Sequence, residues 1–398
     1  MKIKNYVYAA LLLLGVTACG GSDSNETTNG KPSTEQPDKP GETELNFAKG
    51  ADISWYTQYE KEGLKFYNAA GQERDCTTLM KELGLDAIRL RVWVNPSDGW
   101  CNKEDVVKKA KKAAELDMDV MIDFHYSDIW ADPSKQFKPA AWKNLGLTEL
   151  KQAIANHTKD VLNALKSAGV TPKWVQVGNE IRPGMLWDAD ANLSGASWDV
   201  LEKETEMEGA DKNSTKVVGA KNWANLGAFI STGYDAVKSV FPQAIVIVHL
   251  DNGYDNGMFT WFFDELKKNN GKWDMIGMSI YPYWTMLYHG DSYKSEDKVI
   301  DDCISNINML ANRYNCDVMI VETGMECGDG KGGVASSAKL NQGKQLLSRM
   351  IKDSREKTNG RCKGVFYWEP ECRPNKKYVL GAFTNDGKPT VIMDAFKD

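Results

Sequence analysis

Histidine is scarce in this chain of 398 residues: only His125, His157, His249 and His289. None stands in an HxH or HExxH pair, so a zinc or binuclear metal hydrolase would lack its ligands. There is no GxSxG elbow to carry a Ser–His nucleophile. No GxGxxG lies in the strand-to-helix context of a dinucleotide site. Basic residues number 49 against 55 acidic and form no block, so nucleic acid is not expected as a partner. No apolar run reaches the ~18 residues that a membrane span requires. What the chain does have is aromatic surface, including 13 tryptophans, and a flat indole suits the face of a sugar ring.

The N-terminus reads as a targeting segment. Lys2 and Lys4 precede an apolar run of 11 residues, Tyr6–Val16, the hydrophobic part of a signal peptide. It ends in Val16-Thr17-Ala18-Cys19, which resembles the lipobox of bacterial lipoproteins. Residues 1–18 are therefore expected to be removed and Cys19 lipidated. Residues 20–44 contain no hydrophobic side chain, and such a stretch is expected to stay disordered, a tether between membrane and body. Its acidic start resembles the surface-export signal of some lipoproteins, so outer membrane, on the cell surface, is the expected location. Seven cysteines follow Cys19, an odd number, with spacings that match no zinc ribbon or CxxC site. Export permits disulfides, and a pairing such as Cys303 with Cys316 is open.

From residue 45 onward, short β-rich runs alternate with stretches of helical pattern. The runs are Ala51–Tyr56, Ala87–Val94, Val120–His125, Trp174–Gly178, Ile245–Leu250, Met275–Ile280, Val318–Val321 and Gly364–Trp368. Helical patterns include Lys103–Leu116, Glu149–Ala168, Ala228–Val240 and Leu340–Lys357. Eight strand–helix units predict a parallel sheet closed into a (β/α)8 TIM barrel, a single catalytic domain over 45–398. A doubly wound open sheet is the alternative, but the first run leads into Trp55-Tyr56-Thr57-Gln58 and no glycine-rich turn.

In such a barrel, function sits where the strands end. Here the strand ends carry Arg89 and Arg91, Asp123-Phe124-His125, Asn179-Glu180, His249 with Asp251, Tyr281 with Trp284, Glu322 and Trp368-Glu369. Carboxylates beside aromatics are the equipment of glycoside hydrolysis, which needs one carboxylic acid and one carboxylate. Glu180 and Glu322 each follow a nearly continuous apolar strand and are the expected pair. Glu369 is expected to be structural because Pro370 and Glu371 follow it. Asp123 and Asp251 are expected to serve an arginine or histidine.

These residues fall in longer motifs: Gly50-Ala-Asp-Ile-Ser54, Arg89-Leu-Arg-Val-Trp93, Asp123-Phe-His-Tyr-Ser-Asp128-Ile-Trp130-Ala-Asp-Pro133, Gln176-Val-Gly-Asn-Glu180, His249-Leu-Asp251, Val321-Glu-Thr-Gly324 and Phe366-Tyr-Trp-Glu-Pro370. In this order they resemble glycoside hydrolase family 53, the endo-β-1,4-galactanases. The resemblance implies a retaining enzyme acting on pectic galactan, with Glu180 as acid/base and Glu322 as nucleophile. It also implies that Arg89 keeps Glu322 ionised, Asn179 binds the sugar 2-hydroxyl, Tyr281 orients the nucleophile and Trp368 floors the subsite. His125, Asp128, Trp93, His249 and Trp284 are expected along the cleft.

No cofactor is required by that chemistry. Some bacterial members of the family tie the loops after strands 7 and 8 with calcium; here Met325–Gly333 is short and glycine-rich. The ion is therefore not expected, and a disulfide between Cys327 and Cys372 could replace it. A monomer is expected. Two rival readings stay open: a related enzyme cleaving arabinan, mannan or xylan, and a non-catalytic glycan-binding surface lipoprotein.

Overall fold

The computed structural model describes residues 47–187, 222–290 and 292–397; Cys19 and the segments on either side of it, 1–18 and 20–44, lie outside the described residues. Eight parallel strands close into a barrel, each hydrogen-bonded to the next and the last to the first. We number them β1 Ala48–Asp52, β2 Ala87–Val92, β3 Asp119–Phe124, β4 Trp174–Val177, β5 Ile245–Leu250, β6 Met275–Ile280, β7 Asp317–Thr323 and β8 Cys362–Trp368. The expected (β/α)8 TIM barrel is thus the observed fold, and β5 and β6 match the sequence runs residue for residue. β1 differs: it starts three residues before the expected run, and Trp55 already caps the short helix Tyr56–Lys61. The sequence pattern hid this because Gly50, in mid-strand, lies against the Phe366 ring where a side chain would otherwise pack.

The helices bury one stripe each against the strands. In Leu147–Ser167 the stripe is Leu150, Ile154, Val161, Leu162 and Leu165, at the spacing of a helix with one apolar face. Side-chain caps start several of them, as where Asn102 accepts the Asp105 N–H at 2.9 Å. The observed Lys103–Glu115, Leu147–Ser167, Trp223–Val240 and Ser337–Glu356 enclose or nearly match the four expected helices.

Inside the barrel, residues two apart along a strand share a face, and the inner face changes character along its length. Its lower part is an apolar plug of Ala48, Ala87, Met121, Trp174, Ile247, Met275, Met319, Val321 and Phe366. Two residues further along the same strands come Arg89, Asp123, Gln176, His249 and Trp368. The polar upper layer therefore stands on a packed floor and cannot sink.

Gly50 tests that packing. A Cβ there would fall 2.2 Å from the Phe366 ring, so Gly50→Ala is expected to cost about 1–3 kcal/mol in urea unfolding, as overpacking does. Adding Phe366→Leu should restore part of the loss; strictly additive losses would contradict the contact.

Candidate active site

Glu180 and Glu322 meet over β6. Glu180 follows Gly178 (φ 86°) in a tight exit from β4 and itself has φ 48°, a left-handed conformation uncommon outside glycine. Glu322 is aimed by an irregularity in β7. Met278 pairs with Ile320 but Ser279 pairs with Glu322, so Val321 is an extra residue. Simple alternation would turn Glu322 away from Val321 and out of the barrel; the bulge turns it to the mouth. The Ser279 hydroxyl stands between the two acids, 2.7 Å from Glu180 Oε1 and 3.4 Å from Glu322 Oε2. Those two legs limit the separation of the oxygens to about 6.1 Å.

The two carboxyl groups have different surroundings. Glu322 is buried, with Arg89 Nη2 2.8 Å from Oε1 and the Tyr281 hydroxyl donating to Oε2 at 2.9 Å. Burial raises its pKa to about 7, with Arg89 and the Tyr281 hydrogen bond pulling the other way. Glu180 keeps part of its surface open to the cleft and, among the described residues, has no cation paired with it. Lost hydration, then the charges of Glu322 and Asp251, push it well above the usual carboxylate range. Of the pair, Glu322 has the cation beside it and is the more readily ionised, while Glu180 is the more readily protonated.

Arg89 organises the layer beneath. Its guanidinium is buried and donates to Asp52 at 2.8 Å, Asp123 at 2.9 Å, Gln176 Oε1 at 3.0 Å and Asn179 Oδ1 at 2.8 Å, besides its ion pair with Glu322. Asn179 gives one amide hydrogen to the Ala131 carbonyl at 2.8 Å; among the described residues the other has no hydrogen-bond partner. Asp123 serves Arg89 and His125, and Asp251 pairs with Arg182 at 2.9 Å, both as expected.

Above the pair lies a cleft of about 1150 Å³ lined by Asn179, Glu180, Glu322, His125, Tyr281, Trp284 and Trp368, all expected. Trp55 and Trp130 also line it, with ring centroids 5.9 and 5.7 Å from Trp368. On the other side stand Tyr254, Tyr288 and His289. Three expected lining residues are elsewhere. Asp128 spends both oxygens on the backbone N–H groups of Asn95 and Ala140, at 2.9 and 2.8 Å, and so ties two loops together. Trp93 is buried behind Trp130, centroids 5.3 Å apart. His249 is fully buried under Asn179 and Ser279. Proximity to a strand end placed these three near the mouth without saying which layer each occupies. Gln176 and Ser279 were missed; Gln176 lies two residues beyond inward-facing Trp174 and Ser279 two before Tyr281, and that parity was the available signal.

Neither cysteine pairing that the sequence left open is formed. All seven described cysteines are free, including Cys303, Cys316, Cys327 and Cys372. The loops after β7 and β8 are joined instead by hydrogen bonds: Cys327 and Gly328 N–H both donate to the Val379 carbonyl at 2.8 Å, and Tyr367 Oη accepts the Met325 N–H at 3.0 Å and donates to the Leu380 carbonyl at 2.6 Å. Among the described residues, no group of three or more His, Cys, Asp or Glu is arranged to hold a metal ion.

Residues 48–390 match the family Glycosyl hydrolase family 53. An uncharacterised protein of Niallia circulans is 36% identical over 365 residues, covering 87% of this chain and 90% of that one. The endo-β-1,4-galactanase of Bacillus subtilis is 30% identical over 370 residues, 88% of this chain and 75% of that one. A solved fungal β-1,4-galactanase superposes with a TM-score of 0.71 at 26% identity, over 88% of this chain and 98% of its own. The chain belongs to glycosyl hydrolase family 53 and is a glycoside hydrolase.

Glu369, as expected, is not in the cleft: it pairs with buried Arg91 and accepts the Trp55 N–H at 3.3 Å. Beside it Glu371 is fully buried and no donor reaches either oxygen. Burial, then the Glu369 charge, raise the Glu371 pKa well above normal. A raised acid stabilises the fold fully below its unfolded pKa of about 4.3, and that contribution is lost as pH rises through the folded value. Glu371→Gln keeps a donor without a titration. Its melting temperature should stay close to wild type near pH 5 and exceed it increasingly toward pH 9; parallel curves would refute the raised Glu371 pKa.

Proposed function

We propose that this family 53 glycoside hydrolase cleaves internal β-1,4-galactosidic bonds in the galactan side chains of pectin, with retention of configuration. Glu180 is the acid/base and Glu322 the nucleophile. The observation that carries the reading is the single hydroxyl shared by the two carboxyls. It brings one oxygen of each carboxyl to within about 6.1 Å of the other, which supports the close spacing of a retaining pair over the wider gap that an inverting enzyme leaves for water. The names of the galactanase relatives support the substrate.

In this mechanism a galactosyl ring stacks on Trp368, and the remaining Asn179 amide hydrogen meets the 2-hydroxyl. Glu322, kept ionised by Arg89 and aimed by Tyr281, attacks the anomeric carbon as Glu180 protonates the departing oxygen. Forming the ester removes the charge on Glu322. Glu180, now a carboxylate, deprotonates water, and the water oxygen displaces Glu322. No cofactor takes part.

The proposal extends to location. Residues 1–18 direct export, lipidated Cys19 anchors the chain in the outer membrane, and 20–44 space the 45–398 body from the cell surface. Cys19→Ala should abolish labelling by radioactive palmitate and release the protein from membranes; labelling that persists would sink this part.

The decisive assay is hydrolysis of pectic β-1,4-galactan by residues 45–398, with arabinan, mannan and xylan alongside. Galacto-oligosaccharides are expected from the wild type, and Glu180→Gln and Glu322→Gln should each lose about 10³-fold or more in kcat, as for residues acting in chemistry. An inactive wild type that binds galactan would make the protein a capture module. Tyr281→Phe removes a hydrogen bond that lowers the Glu322 pKa. The acid limb of kcat/KM should move to higher pH, with a loss of about 10- to 100-fold; an unmoved limb would argue against Glu322 as the group that must be ionised.

A further inference from the structure

Ser279 is buried on β6, and nothing in the catalytic scheme above gives it a task. Its Oγ lies 2.8 Å from His249 Nε2, 2.7 Å from Glu180 Oε1 and 3.4 Å from Glu322 Oε2. A hydroxyl has one proton to give, so its direction matters, and the surrounding groups decide it. Gln176 Oε1 accepts from Arg89 Nε at 3.0 Å, which makes Gln176 Nε2 the donor. One of its hydrogens goes to Asp123 Oδ1 at 2.8 Å and the other faces His249 Nδ1 at 3.0 Å. Asn179 Oδ1 also lies 3.0 Å from Nδ1, but it already accepts from Arg89. A proton on Nδ1 would leave the second Gln176 hydrogen without an acceptor in a dry site, the costlier fault. The imidazole stays neutral, its pKa held well below normal by burial, then by Arg89 and His125. Its single proton is therefore on Nε2 and is given to Ser279 Oγ. Ser279 must then give its own proton to a carboxyl, and Glu180 Oε1 is the nearer.

We propose that Ser279, oriented by His249, is a positioning residue that occupies Oε1 of Glu180 and so confines the catalytic proton to Oε2. The inference rests on the acid/base reading of Glu180. In the first step the Oε2 proton passes to the glycosidic oxygen, the C1–O bond breaks and the C1–Glu322 bond forms. The Ser279 hydrogen bond then becomes charge-assisted and holds the carboxylate. In the second step Oε2 takes a proton from water, the water oxygen bonds to C1 and the ester to Glu322 breaks. Among the described residues, the groups that face Glu180 are Glu322 from β7, Asp251 beyond β5, Asp132 from the loop after β3, and Ser279. Of these, Ser279 alone favours the ionised form.

The test compares Ser279→Ala and Ser279→Thr with wild type on galactan and on 2,4-dinitrophenyl β-galactobioside, whose leaving group departs without a proton. In Ser279→Ala, kcat/KM on galactan should fall about 10- to 100-fold while the value on the dinitrophenyl substrate stays within about threefold. The alkaline limb on galactan should rise by roughly one pH unit, because a hydrogen bond to the charged form is gone. Ser279→Thr keeps the hydroxyl and should recover both. Equal losses on the two substrates, an unmoved alkaline limb, or a threonine variant as impaired as alanine despite a wild-type melting temperature would overturn the proposal. Azide provides the separate check on its premise. It should rescue Glu180→Ala on the dinitrophenyl substrate and yield the β-galactobiosyl azide. No rescue sinks the acid/base reading itself, whereas rescue together with an indifferent Ser279→Ala sinks the Ser279 role alone.

Discussion

One buried guanidinium carries the upper half of this barrel. Arg89 is withdrawn from water, a step that costs several kcal/mol unless its hydrogen bonds are met in place. Asp52, Asp123, Gln176, Asn179 and Glu322 meet them, and they come from β1, β3, β4, the end of β4 and β7. Each of those side chains is fixed in turn by the same demand. Asp123 is then positioned for His125, Gln176 for His249, and Asn179 for the Ala131 carbonyl at the edge of the cleft. The arrangement is made before any substrate arrives, which is how an enzyme avoids reorganising polar groups during reaction.

The difference between the two catalytic candidates follows from who sits next to that cation. Glu322 touches Arg89 and Tyr281, while Glu180 has a neutral hydroxyl and other acids for neighbours. Nothing about glutamate as a residue type distinguishes them. The same logic recurs beside the cleft, where Arg91 takes Glu369 as a carboxylate and leaves Glu371 to be neutral. Above both lies an indole cluster, with Arg91 4.1 Å from the Trp130 centroid, so the second cation also supports the aromatic floor.

Much of this was legible in the order of residues. Eight strand runs and their helices specified the barrel because a parallel sheet buried on both faces must read as apolar β-rich runs separated by amphipathic helices. The acid pair was legible because each glutamate directly follows such a run. Asp128, Trp93 and His249 were misplaced because a strand end names a neighbourhood, and whether a side chain there faces the cleft depends on what fills the space first. Trp130 covers Trp93, and Asn179 with Ser279 covers His249.

The sequence by itself determined the barrel, the strands on which Glu180 and Glu322 sit, and the supply of aromatic side chains at the mouth. These depend on local periodicity and on position along each strand. Only the tertiary structure decided that one extra residue in β7 turns Glu322 inward, that seven cysteines remain unpaired, and that Ser279 stands between the two acids. Each of those outcomes is a matter of register between strands or of distance between segments far apart in the chain. A linear pattern records neither.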